Sequence, residues 1–183
     1  RTLAPGSLYV ALRGERFDGH EFLAAAASAG AAAALVDARW YADNPVPPLP
    51  VVVVDDSRRA LGTLAGAWRA RFALPLIGVT GSNGKTTVKE MCSEILRAQA
   101  RHEGFGEESV LATRGNLNND IGMPLTLLAL RDFHRAAVIE MGMSQPGEIA
   151  YLSALAQPTV ATGNNAQPAH LQGMGTLEEV AHV

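Results

Sequence analysis

The residues Thr80-Gly81-Ser82-Asn83-Gly84-Lys85-Thr86 join the apolar stretch "LIGV" to the segment "KTTVKEMCSEILRAQ", which reads as a helix. A strand that turns through two glycines directly into a helix leaves few architectures open. Gly81 and Gly84 let consecutive backbone N–H groups face inward, and the helix dipole adds partial positive charge at the same point. Such a turn is built to grip phosphate. Lys85 would place a full charge on the β- and γ-phosphates of a nucleotide, and the Thr86 hydroxyl would ligate Mg²⁺. The spacing departs from G-x-x-x-x-G-K-[ST]: Val79 stands where the first glycine belongs, and Gly78 is one residue early. A plain glycine-rich turn with a solvated lysine would use the same residue types. The position of G-K-T at a strand–helix junction favours the phosphate loop.

The rest of the chain supports a sheet for that loop. After it, "VLAT" (110–113), "AAVIEMG" and "TVATG" read as strands, and "IGMPLTLLAL", "PGEIAYLSALA" and "TLEEVAHV" as helices. Pro124 is tolerable in the first turn of its helix. Val88, Met91, Cys92, Ile95 and Leu96 follow helical spacing, which predicts that they form the buried face of the helix after the loop. Before Pro75 the style differs. "SLYVAL" reads as a strand, "GERFDGH" as a loop, "EFLAAAASAG" as a helix stopped by Gly30, and "AAALV" as a strand. "NPVPPLP" is a connector that no helix tolerates, "VVVV" (51–54) reads as a buried strand, and Asp56 or Ser57 caps a helix to about Phe72. The expected fold is α/β: a small N-terminal α/β domain, then a P-loop domain with a mostly parallel sheet covered on both faces. Ligands should gather beyond the carboxyl ends of its strands.

Three further strand ends carry candidates. Glu140 closes "AAVIE", the usual place for a Mg²⁺ ligand or a residue that orients metal-bound water. His170 lies in the loop after the next strand, as a metal- or phosphate-site residue. In "TRGNLNNDIGMP", Asn116 is nearest the strand end and could hydrogen-bond a phosphate, while Asn119 or Asp120 would cap the following helix. Cys92 reads as core, Trp40 and Trp68 as packing residues, and Asp18 and His20 as parts of a tight turn around Gly19.

Composition excludes several classes. The net charge of −3 comes without a basic block, which argues against a nucleic-acid footprint. One cysteine rules out a disulfide within the chain and fits a reducing cytosol. The alanine-dominated run "FLAAAASAGAAAALV" is a poor membrane span, so a cytoplasmic location is expected. The start at Arg1 and the stop at Val183, inside a helix-like segment, read as a fragment.

Together, "TGSNGKTT", "ATRGNLNNDIGMPLTLL", "VIEMGMSQPGEI" and "NNAQPAHLQGMGTLEEVA" resemble the Mur ligases of peptidoglycan synthesis, and "RTLAPGSLYVALRGERFDGHEFLAAAASAGA" resembles that family's N-terminal domain. The family's phosphate loop is T-G-x-x-G-K-[ST], which Thr80 and Gly81 match. The resemblance implies a UDP-substrate domain over 1–73 and a truncated ATPase domain over 74–183, with the acceptor domain and a carbamylated lysine beyond Val183. It implies that Gly81, Ser82, Asn83, Gly84, Lys85, Thr86 and Thr87 bind ATP phosphates, with Thr86 and Glu140 on Mg²⁺. Asn116 would lie at the γ-phosphate and His170 would hold a second Mg²⁺. Arg1 and Thr2 match a uridine-side segment only from its arginine onward, and Asp18 to His20 match a loop that supports the substrate. "GNLNNDIG" is most similar to the members that join D-Ala-D-Ala to UDP-MurNAc-tripeptide. It argues against the tripeptide-forming ligase and folylpolyglutamate synthase. The implied protein is a monomeric ATP-dependent ligase through an acyl phosphate. The rival expectation is a non-catalytic nucleotide-binding module, and residues 1–183 alone are expected to bind ATP weakly and to ligate nothing.

Overall fold

The computed structural model describes residues 3–165. The chain divides after Leu61 into two compact units, and the division falls inside one helix. Arg1, Thr2, His170 and the expected last helix lie outside the described residues.

The first unit is a three-stranded parallel sheet in the order β1-β2-β3, with β1 Leu8–Val10, β2 Ala33–Asp37 and β3 Val51–Val54. The alanine run divides as its punctuation predicts. Helix α1, Leu23–Ser28, ends before Gly30, whose φ of +87° lets the chain turn into β2. A short helix α2, Ala38–Asp43, follows β2 where the sequence carries no helical period. Ala11, Leu23, Ala34, Val36 and Leu49 form the core, with Trp40 packed against them. The valine run β3 is a strand, but not a buried one: it is an edge strand, and Val52 and Val53 are 53% and 41% exposed.

The turn around Gly19 is knitted into this sheet. The Asp18 carboxylate accepts from the His20 backbone N–H and from the His20 ring at Nδ1. Nε2 of the same buried ring accepts from the Asp37 N–H at 3.0 Å, so the network assigns the proton to Nδ1. Asp37 Oδ1 accepts from Ser57 N–H, and the Ser57 hydroxyl donates to the Ala11 carbonyl, both at 2.7 Å. Trp40 stacks on the His20 ring with centroids 5.2 Å apart. These bonds tie the carboxyl ends of β1 and β2 to the start of helix α3, Ser57–Arg69, whose first turn is capped by Asp56 Oδ1 on the Arg59 N–H.

The second unit holds a four-stranded parallel sheet in the order β5-β6-β4-β7: β5 Val110–Ala112, β6 Ala136–Glu140, β4 Leu76–Thr80 and β7 Val160–Gly163. Leu76, Ala137 and Ile139 face a core shared with Ala65 and with helices α5, Gly122–Leu127, and α6, Glu148–Ala156. Helix α4, Lys85–His102, packs on β4, β5 and β6 from the other face. The face it buries differs from the apolar spacing. Met91 and Ile95 are more than 60% exposed, Cys92 is half-buried, and the fully buried positions are Lys89, Ser93 and Ala100. Helix α5 is entered through Asn119, whose Oδ1 accepts from the N–H groups of Ile121 and Gly122. No helix among the described residues is long and apolar enough to cross a membrane.

Arg69 closes this core from the end of α3. Its buried guanidinium donates from Nε to the Ala156 carbonyl at 2.9 Å, from one terminal nitrogen to Phe72 and from the other to Gln157. A cation thus caps the carboxyl end of α6, where helix carbonyls lack intrahelical partners and the dipole is negative. It also holds Gln157, which adopts a left-handed φ of +45° without being glycine. Replacing Arg69 with Met strands these carbonyls, and chemical denaturation of Arg69→Met is expected to show a loss of about 3 kcal/mol.

A second expectation concerns acid. Burial pushes the Asp18 carboxyl up, but the His20 N–H, the His20 ring and Arg13 outweigh it, and the net pKa lies below the ordinary 3.8. A depressed folded pKa gives stability that is whole above the unfolded value and is lost as pH falls through the folded one. Asp18→Asn should therefore flatten the fall in melting temperature below about pH 4, as read by thermal melts across pH 2–6.

Candidate nucleotide site

The carboxyl ends of β5, β6, β4 and β7 lie side by side, and the candidate residues come from the loops that leave them. Between β4 and α4 the chain runs Gly81 to Gly84. Gly81 has φ +132° and Gly84 has φ +75°. A Cβ at Gly84 would stand 2.7 Å from the Asn164 amide nitrogen, and one at Gly81 would stand 3.0 Å from the Asn165 backbone nitrogen. Both positions therefore need glycine for conformation, and at Gly81 the backbone of Asn165 also leaves little room for a side chain. Lys85 curls back over the loop, with Nζ donating to the Gly81 carbonyl at 2.7 Å and to Ser82 at 3.3 Å. Thr86 and Thr87 are exposed in the first turn of α4, where helix N–H groups have no intrahelical acceptor. An eighteen-residue helix thus directs its positive end at the space above the loop.

The loop tip is held by the segment after β7. Asn165 accepts from Ser82 N–H through its backbone carbonyl and from Asn83 N–H through Oδ1, both at 2.9 Å. The Asn164 and Asn165 amides both donate to the Asn83 carbonyl, at 2.6 and 3.0 Å. Sequence reading found no role for these two asparagines. Their partners lie about eighty residues away, so nothing local marks them.

Glu140 is 2% exposed and pairs in register with Val79 of β4. Its N–H donates to the Thr113 hydroxyl at 2.9 Å, and its Oε1 accepts from Asn118 Nδ2 at 2.8 Å. The other oxygen, Oε2, is buried without a hydrogen-bond partner. A buried carboxylate oxygen left bare costs free energy that a cation recovers. Among the described residues no group of three or more His, Cys, Asp or Glu side chains is placed to hold a metal ion by itself. The chemistry of the donor set, a buried carboxylate at one strand end and the Thr86 hydroxyl at the start of α4, fits Mg²⁺ in its usual mode, in which phosphate oxygens and water supply the remaining ligands. Asn116 stands exposed on the same loop, with its carbonyl accepting from Asn118 N–H. The asparagine that touches Glu140 is Asn118, which sequence reading passed over in favour of its neighbour nearer the strand end.

A parallel sheet in this order, a glycine loop that opens a long helix, a lysine over that loop and an acidic residue at the end of the adjacent strand define the P-loop class of nucleotide-binding domain. The model of the "Mur ligase middle domain" matches residues 79–183, and that of the "Mur ligase family, catalytic domain" matches residues 1–69. The chain belongs to the Mur ligase family. It is 47% identical over 180 residues to the UDP-N-acetylmuramoyl-tripeptide–D-alanyl-D-alanine ligase of Haemophilus influenzae, covering 98% of this chain and 38% of that protein. The Escherichia coli enzyme of the same name is 45% identical over 181 residues, 99% of this chain and 37% of that one. Among solved structures, MurF from Acinetobacter baumannii superposes with a TM-score of 0.86 at 41% identity, over 98% of this chain and 37% of that one. MurF from Thermotoga maritima in complex with ADP superposes at 0.82 with 36% identity, over 98% and 39%. The chain thus spans less than two fifths of the length of these relatives.

Because Glu140 carries an uncompensated buried oxygen, Glu140→Gln should raise the stability of the metal-free protein by about 1 kcal/mol in denaturant titrations. The same change should abolish any strengthening of nucleotide binding by Mg²⁺ in calorimetry.

Proposed function

We propose that this chain is part of an ATP-dependent ligase that joins D-Ala-D-Ala to UDP-MurNAc-tripeptide in peptidoglycan precursor synthesis. The observation that carries the reading is 45–47% identity, held across nearly the whole chain, to ligases of that name. The bared oxygen of Glu140 beside the glycine loop supports it independently. In this reading residues 1–73 serve the UDP substrate and residues 74 onward serve ATP. The acceptor is bound by parts of the protein outside this chain.

The chemistry is carboxylate activation. An oxygen of the tripeptide's terminal carboxylate attacks the γ-phosphorus, the bond to the bridging oxygen breaks, and ADP leaves with the electron pair. The D-Ala-D-Ala amine then attacks the acyl carbon, loses a proton, and inorganic phosphate departs as the amide forms. A free carboxylate is a poor acyl donor, and phosphorylation supplies the leaving group it lacks. Gly81 to Thr87 cradle the phosphates, and Lys85 exchanges the carbonyls of Gly81 and Ser82 for phosphate oxygens, so its charge follows the transferring group. Bound Mg²⁺ would neutralise charge on the β- and γ-phosphate oxygens. Glu140 and the Thr86 hydroxyl are the residues here that would hold it. Asn116 is assigned to the γ-phosphate and His170 to a second Mg²⁺ with a carbamylated lysine outside the chain. Asn118 keeps the Glu140 carboxylate oriented.

The test is a side-by-side assay of the full-length protein with ATP, Mg²⁺ and each UDP-linked acceptor pair. Phosphate release with UDP-MurNAc-tripeptide should require D-Ala-D-Ala. Release that instead required diaminopimelate and the shorter UDP-dipeptide would overturn the reading.

A further inference from the structure

The most deeply buried charged side chain of α4 has no part in the site as described. Lys89 is 1% exposed, yet its ammonium lies inside the second unit. It donates to the Thr113 carbonyl at 3.0 Å and is paired with the carboxylate of Glu90, itself half-exposed. A lysine is almost never fully buried unless its charge is placed for a purpose or well paired. Its place in α4 is one helical turn after Lys85 and three residues after Thr86, so it belongs to the same rigid rod. Thr113 is equally buried and stands where β5 gives way to the loop of Asn116 and Asn118. Its N–H donates to Val138 of β6, and its hydroxyl accepts from the Glu140 N–H. The loop then returns through Asn118, whose amide holds Oε1 of Glu140 and whose carbonyl accepts from the Gly142 N–H. Hydrogen bonds therefore join the phosphate-loop helix through Lys89 to Thr113 and Thr113 to the backbone of Glu140, while Asn118 of the loop that Thr113 begins holds the carboxylate.

We propose that Lys89 is a positioning residue that registers the helix carrying Thr86 against the strand end carrying Glu140, and so sets the geometry of the divalent-cation site between them. This rests on the reading of Glu140 and Thr86 as the residues that hold Mg²⁺. The helix offers no other buried polar side chain toward Thr113 among the described contacts. Partners that orient a metal ligand without touching the metal commonly change metal affinity by about 10–100-fold when removed. Glu90 is half-exposed, so removing the Lys89 charge strands no buried carboxylate, and the cost to stability is that of one unpaired Thr113 carbonyl. A loss confined to Mg²⁺-dependent binding separates a positioning role from a merely structural one.

The experiment is ADP binding to the full-length protein by calorimetry, with EDTA and across a Mg²⁺ titration, for the native protein, Lys89→Met and Lys89→Arg, alongside thermal melts. Lys89→Met should raise the Mg²⁺ concentration for half-maximal strengthening of ADP binding by about 10-fold, while ADP affinity in EDTA stays within twofold even as the melting temperature falls with the loss of the Thr113 bond. Lys89→Arg, which keeps a charged donor, should recover part of the loss. An unchanged Mg²⁺ midpoint in Lys89→Met, or an equal loss of binding with and without Mg²⁺, would overturn the proposal. If Lys89→Met does not fold, Lys89→Gln carries the test with the same outcomes and an expected rise of at least about threefold. Failure of the native protein to ligate D-Ala-D-Ala would overturn the functional reading without touching this result, because the measurement reads binding and not turnover.

Discussion

The second unit is organised by one strand that is buried along its whole length. Ala136 to Glu140 are buried at all five positions, with β4 on one side, β5 on the other and helices over both faces. Four of the five residues are apolar, and the fifth is a carboxylate. The surroundings of that carboxylate hold it on one side only: Thr113 takes the backbone, Asn118 takes Oε1, and Oε2 is left bare. An unsatisfied buried acceptor costs about 1–3 kcal/mol. Strain of that kind tends to persist where a ligand relieves it. The glycine loop, the lysine over it and the start of α4 are arranged around the end of this strand, not around a core of their own.

The first unit shows the same construction without the gap. Asp18, His20, Asp37 and Ser57 also cross-link strand ends and a helix start, and there both ring nitrogens of the buried His20 and the Ser57 hydroxyl meet partners. A buried ring with both nitrogens bonded fixes shape, whereas a buried carboxylate missing a partner invites one.

Sequence reading recovered what is local. The glycine loop, the acidic strand end, the Gly30 stop and the Asp56 and Asn119 caps are each specified within a few residues. The misses share a cause, which is dependence on distant neighbours. A run of four valines reads the same at the centre of a sheet and at its edge, and only the order of strands decides that β3 is outermost. Apolar spacing pointed to Met91 and Ile95 as core, but the sheet meets α4 along Lys89 and Ser93. A lysine can turn inward only because Thr113, twenty-four residues later, offers a carbonyl. Of the asparagines in "GNLNNDIG", Asn118 reaches Glu140 because of how the turn folds back on Asn116. Helix α2 is too short to show a period. The Asn164–Asn165 grip on Asn83 was invisible for the same reason.

That grip has a consequence for how the protein is made. The loop from Gly81 to Gly84 is short and local in sequence, but its tip is shaped by residues at the end of β7, and Asn164 N–H itself bonds Thr80. On a ribosome that adds residues from the amino end, β4 and α4 emerge long before their partner strand. Closing a loop of some eighty residues carries an entropic cost that must be met before those contacts exist. The phosphate grip can therefore take form only after β5, β6 and β7 have been synthesised. A nascent chain halted before Asn164 would hold the P-loop's residues without its shape.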